Sequence, residues 1–381
     1  MDFAWTAEQS EKFQAAAEFA KRSLEPGVRE RERRQEFSRE LWRKCAEFGI
    51  LGLPVAKEYG GLQADAQSTA LTMEGLGYGC GDNGLLFALG AQLFSVQTPV
   101  AEFGSAEQKA KYLPGLISGA CIGAHAMSEP ESGSDALSLR TRAEYRDGSY
   151  FLNGTKTMIT SAPDADLALV FASTAPDKGR WGISAFLVES SCPGYTATRN
   201  LEKMGLRTSS LGEIVLTDCR VPEAARLGPE GAGASIFSFA MERERSGILA
   251  VQVGAMRRQL ETCVRYARER QQFGQSIGKF GSVANRIADM RVRLSTARLL
   301  LYQVAWLHDQ GRSAPLEAAE AKLYISECFL QSSLDAVRIH GGYGYLTEYE
   351  VERDLRDAVG GTLYSGTSDL QRVVIARLLG L

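Results

Sequence analysis

Apolar residues along this 381-residue chain keep two different rhythms in three successive blocks. Over residues 1–120 they recur every three or four positions, the spacing of helices with one buried face. Thr6 followed by Gln9 forms a capping box ahead of the amphipathic run Phe13 to Leu24, and Gly104 to Lys111 reads as another capped start. GILGLPVAKEYGG, residues 49–61, reads as loop, and helical spacing resumes at Ser68. Over residues 121–228 the spacing shortens towards period two, as in LALVFAS after Asp166 and ISAFLVE after Gly182. Asp147-Gly148 and Asn153-Gly154 are hairpin signals between such strands. Over residues 229–381 the helical period returns, with long segments at 257–270, 283–310 and 316–338. Pro315 suits the first turn of the last of these, where a missing N–H costs nothing. The pattern predicts an α+β chain, mainly α, in three blocks packed as one rigid unit, with no repeat or long linker.

Composition then narrows the function. With 44% apolar and 23% charged residues the chain reads as globular. A net charge of −3 offers no broad attraction to nucleic acid or to an anionic membrane surface. No uninterrupted apolar run approaches the roughly 18 residues of a membrane span. The opening MDFAWTAEQSEKF is polar from the outset and unlike a secretory signal, so a cytoplasmic location is expected. Seven cysteines without a CxxC pair, and three histidines without a clustered partner, predict isolated thiols and no metal site.

Local strings carry the chemistry. SEPESGSD after Met127 resembles the flavin-contacting turn of the acyl-CoA dehydrogenase family, and NGTKTMIT, residues 153–160, resembles the strand that follows it. QQFGQ after Arg270, GGYGYLTEYEVERDLRD after His340, and LYSGTSDLQ, residues 363–371, resemble further family motifs in the family's order. The resemblance spans essentially the whole chain. It implies an N-terminal helical domain, a middle β-barrel-like domain and a C-terminal four-helix bundle. It also implies FAD as cofactor and a homotetramer in which Arg270 and Phe273 serve the FAD of a neighbouring subunit. The residues matching flavin-contacting positions are Met127, Ser128, Gly133, Ser134, Met158, Thr160, Arg338, Gly341, Gly342, Thr367 and Gln371. Guanidinium suits the FAD diphosphate, which it can grip with two donors, and the glycines permit close backbone approach. Met158 stands where many relatives place a tryptophan, and Arg338 where glutamine is common.

The family removes an α-proton from an acyl thioester with a carboxylate while hydride leaves the β-carbon. Most members keep that glutamate immediately before the Gly-Thr of the C-terminal motif, where this chain has Ser365. A serine hydroxyl is far too weak a base, although its backbone N–H can still hold the thioester carbonyl. A minority branch places the glutamate 29 residues before the phenylalanine of the RxxF motif, which here is Glu244. Charged runs such as ERER are usually solvated helix faces, yet the register singles out Glu244, with Arg245 beside it. Glu242 lies about 200° away around a helix and would face elsewhere. Tyr364 and Gly366 complete the expected substrate contacts.

Serine in this motif together with a helix glutamate is similar to a branch that oxidises prolyl groups on a peptidyl carrier protein. In that reading the substrate is a carrier-bound aminoacyl thioester and the electron acceptor is oxygen or an electron-transferring flavoprotein. KMGLRTSS, residues 203–210, instead looks like enzymes of short or branched acyl-CoA, the alternative substrates. A flavin-dependent amine monooxygenase on the same fold, and a dead homologue acting as a binding partner, are further alternatives.

Overall fold

The computed structural model describes residues 5–381. Seven helices form the first block: α1 (Ala7–Phe19), α2 (Val28–Arg34), α3 (Arg39–Glu47), α4 (Ala66–Gly79), α5 (Asn83–Gln92), α6 (Thr98–Phe103) and α7 (Ala106–Ile117). Thr6 caps α1 through the expected capping box, with the Gln9 side chain answering on the Thr6 N–H, and Ser105 and Gln108 repeat the device at α7. Helix α5 continues through a π-helical turn, Leu93–Gln97, into α6. The resulting 83–103 stretch is long and apolar enough to cross a bilayer by length and composition, and most of it is buried in the core.

The middle block is an eight-stranded sheet built from β1 (Gly123–Ala126), β2 (Arg142–Arg146), β3 (Ser149–Thr160), β4 (Leu167–Ser173), β5 (Ile183–Glu189), β6 (Tyr195–Ala197), β7 (Leu211–Pro222) and β8 (Arg226–Leu227). The order is β6-β7-β3-β2-β4-β5-β8, with β1 paired in parallel to β4. Asp147-Gly148 makes the expected two-residue turn between β2 and β3, both residues having positive φ. Asn153-Gly154 does not form a hairpin. Both residues lie inside β3, where the pairing to β7 slips between Leu152 and Gly154. The turn-like dipeptide lies opposite a bulge whose extra residue is on β7, and at φ 153° Gly154 lies against the backbone and side chain of Thr141, where a Cβ would collide.

The last block holds α8 (Gly233–Gly247), α9 (Ala250–Glu269), a short hairpin of β9 (Gln271–Gln272) and β10 (Gln275–Ser276), then α10 (Gly281–Asp309), α11 (Pro315–His340), α12 (Val351–Gly361) and α13 (Ser368–Leu378). Pro315 sits in the first turn of α11. One apolar core runs through both helical blocks, joining Phe19 and Trp42 to Val253, Leu301 and Phe329. A second fills the sheet, and a third joins the sheet to α6, α7 and the start of α8. The sheet and both helical blocks therefore meet around α8.

Candidate active site

Helix α8 carries the ERER run, and its two glutamates part company as the 200° separation predicts. Glu242 accepts from Nε2 of His308 (3.1 Å), the Ser313 hydroxyl (2.9 Å) and the Ala314 N–H (2.8 Å). Burial pushes its carboxyl up, but these donors outweigh burial and hold it at about 2. Glu244 turns inward and is only 8% exposed. One carboxylate oxygen accepts from the Ser95 hydroxyl in the π-helical turn, and the other from the Ser365 hydroxyl in the C-terminal motif. Burial raises its pKa; the Ser365 and Ser95 hydroxyls, and the charge of Arg245, pull the other way. Arg245 donates to the Ser365 carbonyl at 3.3 Å. Ser95, absent from the sequence reading, is the principal addition here.

The motif around Ser365 is a tight loop. Ser365 (φ 55°) and Gly366 (φ 89°) are both left-handed, and a Cβ on Gly366 would meet the Gln371 amide at 2.6 Å. Among the described residues the Ser365 N–H has no backbone or side-chain acceptor, so it is free to donate to a ligand. Tyr364 packs on Phe87, ring centroids 4.5 Å apart, and accepts from the Gln252 amide at 2.7 Å. Two motif side chains have local work as well. The Thr367 hydroxyl caps α13 by accepting from the Leu370 N–H (3.1 Å). The Gln371 amide donates to the carbonyls of Ser365 (3.1 Å) and Gly366 (3.0 Å), leaving its own oxygen buried and unpartnered.

The turn of residues 127–134 follows β1 and is anchored from below. Lys156, fully buried on the same strand face as Leu152, donates to the Met127 carbonyl (3.1 Å) and to Glu129 (2.8 Å). Glu129 also accepts from the N–H groups of Arg140 (2.5 Å) and Thr141 (3.0 Å). Burial pushes the Lys156 ammonium down to about 8, with Glu129 opposing that shift. This pair was not picked from sequence, although a lysine in phase with Tyr150 and Leu152 was the available signal. Ser128 is tied to β3 by the Thr157 N–H, 2.9 Å from its carbonyl, while Gly133 and Ser134 are exposed. Met158 sits on a bulge of β3, at φ 55° and 65% exposed, with Thr160 at the strand's end.

Arg270, Gly341 and Gly342 gather elsewhere, in a cavity of about 480 Å³ that Tyr266, His340 and Tyr343 also line. The Arg270 guanidinium lies 5.4 Å from the Tyr343 ring centroid, and a Cβ added to either glycine would project into open space. A cationic, aromatic-walled cradle with two bare backbone segments fits a nucleotide diphosphate. Phe273, on the tip of the β9–β10 hairpin, is 93% exposed. Arg338 is half exposed and 3.8 Å from Asp335, whose carboxylate is already held by Arg286 and Arg293. The Arg270 cradle and the Glu244 cluster thus share no residue. If the cradle holds FAD, Arg270→Ala should weaken FAD binding about tenfold to a hundredfold, the worth of a charge-assisted contact, measured by fluorescence titration of the apoprotein.

A three-block chain with an internal carboxylate held between a π-helical turn and the C-terminal motif defines a class, and comparison with known proteins defines the family. The N-terminal, middle and C-terminal domains of acyl-CoA dehydrogenase match residues 6–120, 124–219 and 231–380. The chain belongs to the acyl-CoA dehydrogenase family. An L-prolyl-[peptidyl-carrier protein] dehydrogenase of Pseudomonas fluorescens is 46% identical over 346 residues, 91% of each chain. Among solved structures, the prolyl acyl carrier protein oxidase AnaB superposes with a TM-score of 0.98 at 46% identity, covering 99% of this chain and 100% of its own. The structure described as PigA with FAD and proline also gives 0.98, at 42% identity and full coverage of both chains.

Proposed function

We propose that this chain is an FAD-dependent dehydrogenase of an acyl thioester, its preferred substrate a prolyl group carried on a peptidyl carrier protein. The observation that carries the reading is Glu244: a buried carboxylate held by two hydroxyls, one of them from the residue that has replaced the family's usual base. Burial makes the carboxylate a better proton acceptor than an exposed glutamate, and the two hydroxyls oppose that shift by bonding its charged form. Removal of the α-proton places negative charge on the thioester oxygen. The unpartnered Ser365 N–H supplies a donor for that oxygen, and Arg245 steadies the loop by holding the Ser365 carbonyl. Tyr364 walls the pocket beside them.

FAD, when bound, supplies the hydride acceptor for the β-carbon. Met127, Ser128, Gly133, Ser134, Met158 and Thr160 would hold its ring system, with Lys156 and Glu129 fixing the turn from behind. Thr367 and Gln371 bound the same region. Arg270, Phe273, Arg338, Gly341 and Gly342 would hold the diphosphate of a neighbouring copy, in a homotetramer that covers the exposed Phe273. Electrons then pass to oxygen or to an electron-transferring flavoprotein, and the setting is cytoplasmic.

Anaerobic mixing of the FAD-loaded protein with thioesters tests the reading. Prolyl thioester on a carrier protein should bleach the flavin absorbance, whereas free proline, which lacks the acidifying thioester, should not. Bleaching by short or branched acyl-CoA alone would move the assignment to the acyl-CoA enzymes.

A further inference from the structure

The candidate base is gripped from two sides, and only one of them belongs to the C-terminal motif. The other is Ser95, 149 positions earlier in the chain and 1% exposed. Helical serines and threonines in this protein commonly turn their hydroxyls back to the carbonyl one turn earlier. Thr98 does so to Phe94 (2.6 Å), Ser238 to Ala234 (2.8 Å) and Ser326 to Lys322 (2.8 Å). Ser95 does not; its hydroxyl goes to Glu244 alone. Its place in the five-residue π-helical turn Leu93–Gln97 accounts for the difference. The widened turn shifts the register of the 83–103 stretch and aims the hydroxyl at α8. All five residues of that turn are buried. Gly247, one turn after Glu244, lets the neighbouring Phe94 ring lie directly against α8, since a Cβ there would overlap the ring. The two segments are therefore pressed together where the contact forms.

We infer that Ser95 is a positioning residue for proton abstraction: with Ser365 on the opposite oxygen, it fixes the plane of the Glu244 carboxylate by a second hydrogen bond. The inference rests on the assignment of Glu244 as the base. Two hydroxyls on two oxygens restrict the carboxylate to one orientation and still leave it lone pairs to accept a substrate proton. A buried carboxylate with only one donor would swing more freely and hold its proton more tightly. The other charged or titratable groups around it do not replace that donor. Arg245 points its Nε to the Ser365 carbonyl, Tyr364 is an acid held neutral by burial, and Lys322 of α11 lies towards Arg245 with its ammonium unpartnered. Glu242 is bound to His308 on another face.

The test compares FAD-loaded wild type, Ser95→Ala, Ser95→Thr and Glu244→Gln as full chains. Infrared difference spectra without substrate follow the protonated-carboxyl band as pH rises, and Glu244→Gln identifies that band by losing it. Stopped-flow reduction by the carrier thioester gives the rate at each pH. In Ser95→Ala the band should persist to higher pH, and reduction at the acid end should fall about tenfold, with the deficit closing as pH rises. The substrate Kd should stay within about twofold, and threonine, which keeps the hydroxyl, should restore the wild-type profile. If the alanine variant does not hold FAD, Ser95→Cys, close in size and a weaker donor, takes its place in the comparison. An unchanged band and pH profile, or an equal loss at every pH that threonine does not rescue, overturns the role of Ser95. Wild-type reduction by Glu244→Gln would instead overturn the base itself.

Discussion

Replacing Glu244 with glutamine is expected to lower the rate of anaerobic flavin reduction by thioester about a thousandfold, within the range of a lost general base. The amide keeps the volume and can still bond one of the two serines, so the pocket should survive, and FAD content and thermal unfolding should match the wild type. What disappears is the buried carboxylate bonded to both Ser95 and Ser365. Ser365 offers no substitute base, because its hydroxyl is ordinarily protonated and already spends its hydrogen on Glu244. Wild-type reduction should climb with pH through a value above the ordinary carboxylate range. The sign follows from burial, which favours the neutral acid, so the active carboxylate accumulates only as pH rises. The variant should show no such limb. Unchanged reduction in Glu244→Gln would place the base elsewhere and reopen the monooxygenase reading, which needs no α-proton acceptor.

The second large effect is on stability. Lys156→Met should destabilise the fold by about 3–5 kcal/mol, because Glu129 would be left buried without its cation. Glu129 retains the N–H donors of Arg140 and Thr141, so the loss should fall on the turn that follows Met127 rather than on the whole sheet. Urea unfolding measures the free energy, and FAD retention during gel filtration reports the turn. The double variant Lys156→Met with Glu129→Gln removes the stranded charge and should recover part of the stability while leaving FAD weakly held. A single variant as stable as wild type would show that the pair does not support the turn.

Much of this was legible in the sequence, for identifiable reasons. The change of rhythm near residues 121 and 228 reflects a real change from one-faced helices to strands. The capping boxes at Thr6 and Ser105 are local devices, readable wherever they occur. The inward-facing Glu244 could be picked out by counting back from Phe273, because α8 and α9 lead directly into the hairpin that carries Phe273. Ser95 could not, since its contact depends on a register shift in a helix 149 positions away. Asn153-Gly154 misled because a glycine marks a turn and a close approach inside a strand alike, and only the packing of Thr141 against Gly154 decides between them. Thr367 and Gln371 look like ligand groups in a motif, yet capping and loop bracing occupy part of their bonding capacity. The Lys156–Glu129 pair was visible only as a charge in phase with the buried face of its strand. Pairing it required knowing that the turn after β1 folds over β3.

Mass analysis of the acyl group after incubation shows whether Glu244 drives hydrogen removal from a prolyl thioester, because it reads the chemistry rather than the spectrum. Wild-type protein with FAD is incubated with prolyl carrier protein, an aliphatic acyl carrier protein and short acyl-CoAs, and each acyl group is weighed. The account predicts loss of one or two pairs of hydrogen atoms from the prolyl carrier, and none with Glu244→Gln. Hydrogen loss from acyl-CoA alone, or gain of an oxygen atom in place of hydrogen loss, would contradict it.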